Sequence, residues 1–411
     1  MVDLHVGKAF SGEVSSETVS FLGMQSTLDP LWPRLTSLRL PNRPGWDSVV
    51  PTLAFLSPKI KIFSLILPRD TSILLQPILS TASDRCNWVQ ELELDVVADD
   101  PQSAHCVGGL ISACRETLRT LEIHSPFRLE YLPIIANLPQ LRKLRLERVC
   151  FPADIPFGGF PVLEEFTFLR FQGRRLQHFL KRLSTTNLTV AKIYSTDAID
   201  IKKSMSALSK YSTTLRYLEI SAVTCLDLFR VALPRPIFRN LKRLHLRCFR
   251  WGDAFHGACT FRPSDEAIAE LGASMPNLTN LTLGNPTCVH LQCVTFLSLV
   301  SLSKACRDLD TLEIRVDFQT MIAPSLPAYE DARMNWVSDE TWEDCCKLRK
   351  LVLGLSVLPD HPESVWLVAV GLGKIFPSLS EVEGYGTERS RWEQVGRNVG
   401  MSRRVLRAVD L

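Results

Sequence analysis

Three groups of residues carry side chains that could hold a metal ion. His245-x-x-Cys248 and His256-x-x-Cys259 form two H-x-x-C pairs, and four nitrogen and sulfur ligands suffice for tetrahedral zinc. Cys288, His290 and Cys293 make a looser cluster. Glu91, Glu93 and Asp95 alternate with Leu92 and Leu94, so on an extended strand their carboxylates share one face and could chelate a divalent cation. Zinc fails on position: the spacing is not the common C-x-x-C knuckle, and His245 falls within a strand phrase while Cys259 lies in an insertion. Carboxylates alternating along a strand are ordinarily salt-bridged or solvated. The adjacent Cys345 and Cys346 diverge in any regular element and read as one buried and one half-exposed thiol. No G-x-S-x-G, G-x-x-x-x-G-K-[ST], H-E-x-x-H or G-x-G-x-x-G occurs. The expectation is a protein that is not an enzyme, with no metal and no cofactor.

The elements that carry these residues are set by one recurring phrase, L-x-x-L-x-L. Its clearest copy is Leu141, Leu144 and Leu146. Leu144 and Leu146 are two apart, so they share a strand face, while Lys143, Arg145 and Glu147 point the other way. Earlier copies start at Leu35, Ile60, Val89 and Leu118, and later ones at Leu163, Leu188, Leu215, Leu241, Leu278, Leu309 and Leu348, with a weak last copy at Leu379. That makes thirteen, mostly 22 to 29 residues apart, with longer steps of 31 to 39 after Leu241. Such a step holds one strand, one helix and two turns. One strand cannot bury its leucines alone, but stacked neighbours close a continuous core. The fold expected is α/β, a leucine-rich-repeat solenoid. Strands sit about 4.8 Å apart and helices about 10 Å, so the strand side should form the concave face of a curved horseshoe and the helices its convex face.

That strand face is the expected binding surface. It offers Glu91, Glu93 and Asp95, then Glu122 and His124, then the basic pair Lys143 and Arg145. Further along come Lys192 and Tyr194, Tyr217 and Glu219, the trio Arg243, His245 and Arg247, and finally Glu313 and Arg315. Tyr and Arg are favoured anchors at protein interfaces. Trp251 and Phe255, in an insertion at 249–262, add an aromatic group, and a second insertion spans 317–337.

Bulk properties fit this reading. A solenoid grows by addition, so 411 residues need no second core. A net charge of +3 is too small to argue for nucleic acid or a membrane surface, and no apolar run is long enough to span a bilayer. Twelve scattered cysteines without a signal peptide read as reduced thiols in the cytoplasm or nucleus. The domain plan is a cap or lead-in over 1–30, the solenoid over 31–386 and a capping tail over 387–411. Outer helices are expected at 47–56, 71–80, 101–115, 128–138, 173–183, 200–211, 265–273, 294–306 and 362–376, the first two limited by Pro51 and Pro77. Ser264 reads as the N-cap of its helix.

Several phrases resemble the repeat region of fungal F-box-type leucine-rich-repeat proteins, substrate receptors of ubiquitin ligases. They are FRPSDEAIAELGASMPNLTNLTLGNPTC from Phe261, VTFLSLVSLSKACRDLDTLEI from Val294 and WLVAVGLGKIFPSLSEVEGYGT from Trp366, with LWPRLTSLRLP and LSPKIKIFSLILP nearer the start. The resemblance implies a protein substrate as partner. It implies a Skp-type adaptor as well if an F-box lies upstream, since no L-P-x-E-[IV]-L phrase precedes Trp32. It leaves open a free-standing scaffold or inhibitor without a ligase role. A monomer is expected.

Overall fold

The L-x-x-L-x-L phrases do become strands, because each places two apolar residues on one side of an extended segment and mostly polar or charged residues on the other. The structure, a computed structural model, describes residues 3–5, 34–40, 56–66, 72–96, 101–125, 129–148, 159–171, 176–195, 201–222, 238–248, 263–284, 294–319, 346–358 and 362–409. The chain divides into two compact units, Met1–Leu188 and Thr189–Leu411.

The first unit carries β1 (Asp3–His5), β2 (Ser37–Leu40), β3 (Ile62–Ile66), β4 (Glu91–Asp95), β5 (Thr120–Ile123), β6 (Lys143–Glu147) and β7 (Glu165–Phe171). Each is parallel to the next in chain order. The register aligns equal positions of the phrase: Leu92 faces Leu121, which faces Leu144, which faces Phe166. A slip of one residue would turn the leucines to water, so burial fixes this register. Behind the sheet lie α1 (Ser72–Arg85), α2 (Pro101–Ala113), α3 (Leu132–Ala136) and α4 (Leu176–Arg182). Helix α1 packs on α2 and α2 on α3.

Two features of this unit depart from the sequence expectation, and in the second unit the helix expected over 294–306 starts only at Phe296, since Val294–Thr295 pairs as a strand with Val316–Asp317. The lead-in contributes a strand, β1, paired in register with β2. Helix α1 also runs through Pro77 to Arg85. The ring removes only one backbone donor in the second turn, and burial of Leu75, Ile78, Leu79 and Ala82 holds the helix on the sheet. At the far end of this unit Phe179 of α4 meets Phe160, Phe166 and Phe168 edge-on, with ring centroids 5.6, 6.1 and 5.0 Å away.

The second unit carries β8 (Val190–Ser195), β9 (Tyr217–Ala222), β10 (Arg243–Cys248), β11 (Asn280–Leu283), β12 (Val294–Thr295), β13 (Thr311–Glu313), β14 (Val316–Asp317), β15 (Lys350–Gly354) and β16 (Glu381–Gly384). Its sheet runs β8-β9-β10-β11-β13-β15-β16, all parallel, and β12 and β14 form a separate two-stranded pair. Its helices are α5 (Ile201–Leu208), α6 (Asp265–Ser274), α7 (Phe296–Ala305), α8 (Pro362–Ile375) and α9 (Arg389–Val409).

Polar side chains join successive repeats. Ser264 caps α6 by accepting from the Ala267 amide at 3.2 Å. The first residue of that helix, Asp265, accepts from the backbone N–H and hydroxyl of Thr295 at 2.9 and 2.6 Å and from the Ser298 hydroxyl. Thr295 is in turn the N-cap of α7. One carboxylate therefore ties together the starts of two neighbouring helices, where unsatisfied N–H groups favour negative charge.

Where helix returns to strand, thiols do similar work. Cys86 donates to the Ser57 carbonyl at 3.8 Å and Cys114 to the Cys86 carbonyl at 3.3 Å. In the second unit Cys306 donates to the Met275 carbonyl at 3.6 Å and Cys346 to the Leu309 carbonyl at 3.4 Å. Burial pushes the Cys86, Cys114 and Cys306 thiols up to about 12, so they stay protonated and inert.

Helix α9 packs on α8 and on β16. Its Trp392 is fully buried, donates from Nε1 to the Ser356 carbonyl at 3.0 Å and sits 5.2 Å from the Phe318 ring. The approach requires Gly384, since a Cβ there would overlap the indole. No described helix is long and apolar enough to cross a membrane.

Candidate functional site

Alternation along each strand leaves one residue standing between two buried leucines, and the parallel register sets these residues side by side. On β4, β5 and β6 the central row is Glu93, Glu122 and Arg145. Its neighbouring row is Glu91, Thr120 and Lys143. Strand spacing brings opposite charges into contact. Glu122 accepts from Lys143 Nζ at 2.9 Å and lies 3.6 Å from Arg145. His124 Nε2 lies 3.3 Å from Glu93 and 3.8 Å from Glu122. The Glu122 carboxylate holds Lys143 above the ordinary lysine range.

The alternating carboxylates Glu91, Glu93 and Asp95 thus do not act as a set. Glu93 turns toward the next strand, Glu91 is exposed and Asp95 faces Ile66 in register. The group that converges is Glu93, Glu122 and His124, whose ligand-type atoms lie within 4.8 Å of one another. Lys143 and Arg145 each pair with one Glu122 oxygen, at 2.9 and 3.6 Å, which makes the cluster a salt-bridge network. Its members are partly exposed, so each pair contributes about 0–1 kcal/mol.

The second unit repeats the arrangement with aromatic rings added. Lys192, Glu219, His245, Thr282 and Glu313 stand in one row. Tyr217 and Arg243 stand opposite one another in the adjacent row, and Tyr194 faces Ser221, which faces Arg247. The Tyr217 hydroxyl donates to Glu219 at 2.5 Å. Its ring lies 5.4 Å from the His245 ring and 5.3 Å from Lys192 Nζ. Burial, then the bond to Glu219, pushes the phenol above its ordinary range. Burial also lowers the His245 imidazole below its ordinary value, helped by the Arg247 and Arg243 charges and opposed by Glu219 and Glu313.

Arg247 reaches Glu313 at 3.0 Å, and Thr282 donates to the same carboxylate oxygen at 3.1 Å. Gly284 follows Leu283, the partner of Leu246, so no side chain stands beside Arg247 on β11. Arg315 follows β13 and is half-buried. Near the sheet's end Lys350 bridges Glu381 and Glu383 at 3.0 and 2.6 Å.

Sequence periodicity found which side chains face out. It named Glu219 and Glu313 as outward positions but not their pairings with Tyr217 and Arg247, and it did not name Thr282, because the contacts of Glu313 and Thr282 come from lateral register between strands. Aligning the phrases vertically would have exposed that signal. Trp251, Phe255, His256, Cys259, Cys288, His290, Cys293 and Cys345 lie outside the described residues, as does the second insertion beyond Gln319.

Parallel strands repeated in register, with leucines stacked behind them and helices between many of the described strands, define a leucine-rich-repeat solenoid. No protein-family model matches the chain, and no curated protein matches it significantly. Among solved structures it is similar to one described as the crystal structure of Rad7 and Elc1 complex in yeast. The identity is 12% and the TM-score 0.40, over 82% of this chain and 72% of that one.

Proposed function

We propose that this chain is a non-enzymatic solenoid that holds a protein partner against the strand face opposite the helices. We further propose that it serves as the substrate-holding part of an F-box-type ubiquitin-ligase receptor, in the cytoplasm or nucleus. One observation carries the first reading: the outward strand positions form rows of half-buried charged and aromatic side chains, held in place by cross-strand partners before any ligand arrives. Binding such a surface costs less ordering entropy than binding free surface side chains. The ligase role is supported by the repeat phrases that resemble fungal F-box-type receptors.

The test is crosslinking capture by the full chain and by two variants. Arg243→Glu with Arg247→Glu alters the strand face, whereas Glu270→Lys alters an exposed position on α6. Partners lost only from the strand-face variant, with unchanged circular dichroism, support the reading. Equal capture by both variants refutes it. A second reading, a scaffold or inhibitor with no ligase role, is separated by purified Skp-type adaptor: a chain that captures protein partners but no adaptor is the scaffold.

A further inference from the structure

Charge is unevenly spread within the second unit. The segments 189–195, 214–222 and 241–248, which hold β8, β9 and β10, contain five Lys or Arg residues and one carboxylate, Glu219. Glu219 is buried and accepts from Tyr217, so it offers little to an incoming ligand. Arg247 is neutralised by Glu313 at 3.0 Å. Arg216, Lys242 and Arg243 are exposed. The amides of Lys242 and Arg243 both donate to the Arg216 carbonyl, at 2.8 and 3.0 Å, which fixes these three residues side by side at the start of the strands. Lys192 stands on the same sheet, over the Tyr217 ring that faces Arg243.

We propose that this cluster, Lys192, Arg216, Lys242 and Arg243, is the docking site for an acidic segment of a partner protein. The inference rests on the strand-face reading above and narrows it to one patch and one partner chemistry. Charge complementarity is the argument: backbone hydrogen bonds set these three exposed residues side by side, Asp308, already paired with Lys347 at 2.8 Å, offsets Lys242 only in part, and a run of carboxylates would offset the remaining repulsion. A nucleic acid fits less well. Sequence-tolerant binding of single strands relies on open aromatic faces for base stacking, and the Tyr217 ring is already engaged by Lys192 and His245.

The test is fluorescence anisotropy of a labelled poly-Glu peptide with the full chain at low ionic strength. Wild type is expected to bind, with affinity falling as salt is added. Lys242→Glu with Arg243→Glu should weaken binding at least tenfold while leaving circular dichroism unchanged. An equal charge reversal in the first unit, Lys61→Glu with Arg119→Glu, should change it less than twofold. Absence of poly-Glu binding, equal losses from both reversals, or tighter binding of oligouridylate through the same residues would overturn the proposal. If strand-face variants still lose captured partners while poly-Glu fails to bind, only the acidic-segment inference falls. If no partner is lost, the strand-face reading falls too.

Discussion

Replacing Asp265 with alanine should loosen the junction between α6 and α7. The carboxylate accepts from the Thr295 amide and hydroxyl and from the fully buried Ser298 hydroxyl. A hydrogen bond to a charged group is worth about 1.5–3 kcal/mol, but the Thr295 hydroxyl can turn to water, so the three do not add in full. Loss of an acid in the first turn of α6 costs about 0.5 kcal/mol more. The sum expected for Asp265→Ala is about 3 kcal/mol, and Asp265→Asn, which keeps an acceptor oxygen, should cost about half as much. Neighbouring repeats stabilise one another, so the loss should show first as faster amide exchange in α6 and α7, and then as a lower urea midpoint. Ser298→Ala alone should cost about 1 kcal/mol, and the double variant should fall short of additivity by about that amount. A loss below about 0.5 kcal/mol, or full additivity of the two changes, would show that the carboxylate does not join the helices.

Three further outcomes are expected. Leu281→Asp should unfold the second unit, since an unpaired charge among stacked leucines costs several kcal/mol, roughly; a cooperative native-like melt would contradict it. Stability should fall as pH drops below the ordinary imidazole value of 6.5, because His245 binds its proton less readily folded than unfolded, and His245→Gln should flatten that slope in urea titrations. A thiol reagent should leave Cys86, Cys114 and Cys306 unmodified in the native chain and label all three after denaturation; rapid native labelling would argue against their burial.

The strands were legible in the sequence because their signal is local and repeated. All thirteen L-x-x-L-x-L phrases coincide with strands, from Ser37–Leu40 to Glu381–Gly384. Strand β1 escaped because Asp3–His5 is three residues long, with no leucine placed three before its alternating pair. The Ser264 cap was legible for the same local reason, as side chain and acceptor lie three residues apart. The bridge from Asp265 was not, since Thr295 and Ser298 lie 30 and 33 residues away. Outward-facing site residues followed from alternation, but their partners did not. Arg247 and Glu313 are 66 residues apart in sequence and meet only because two intervening turns of the solenoid bring β10 and β13 to either side of β11. Insertions of uneven length between repeats hide that proximity from any fixed-period reading.

Helix α9 does more than finish the second unit. A parallel ladder that simply stopped at β16 would present a bare row of amides and carbonyls, a template on which another molecule's backbone could grow. By seating Trp392 against Gly384 and lying along the final strand, the helix turns a potentially self-propagating edge into a closed one. Any cut or substitution that lifts it away converts a question of folding into one of colloidal behaviour.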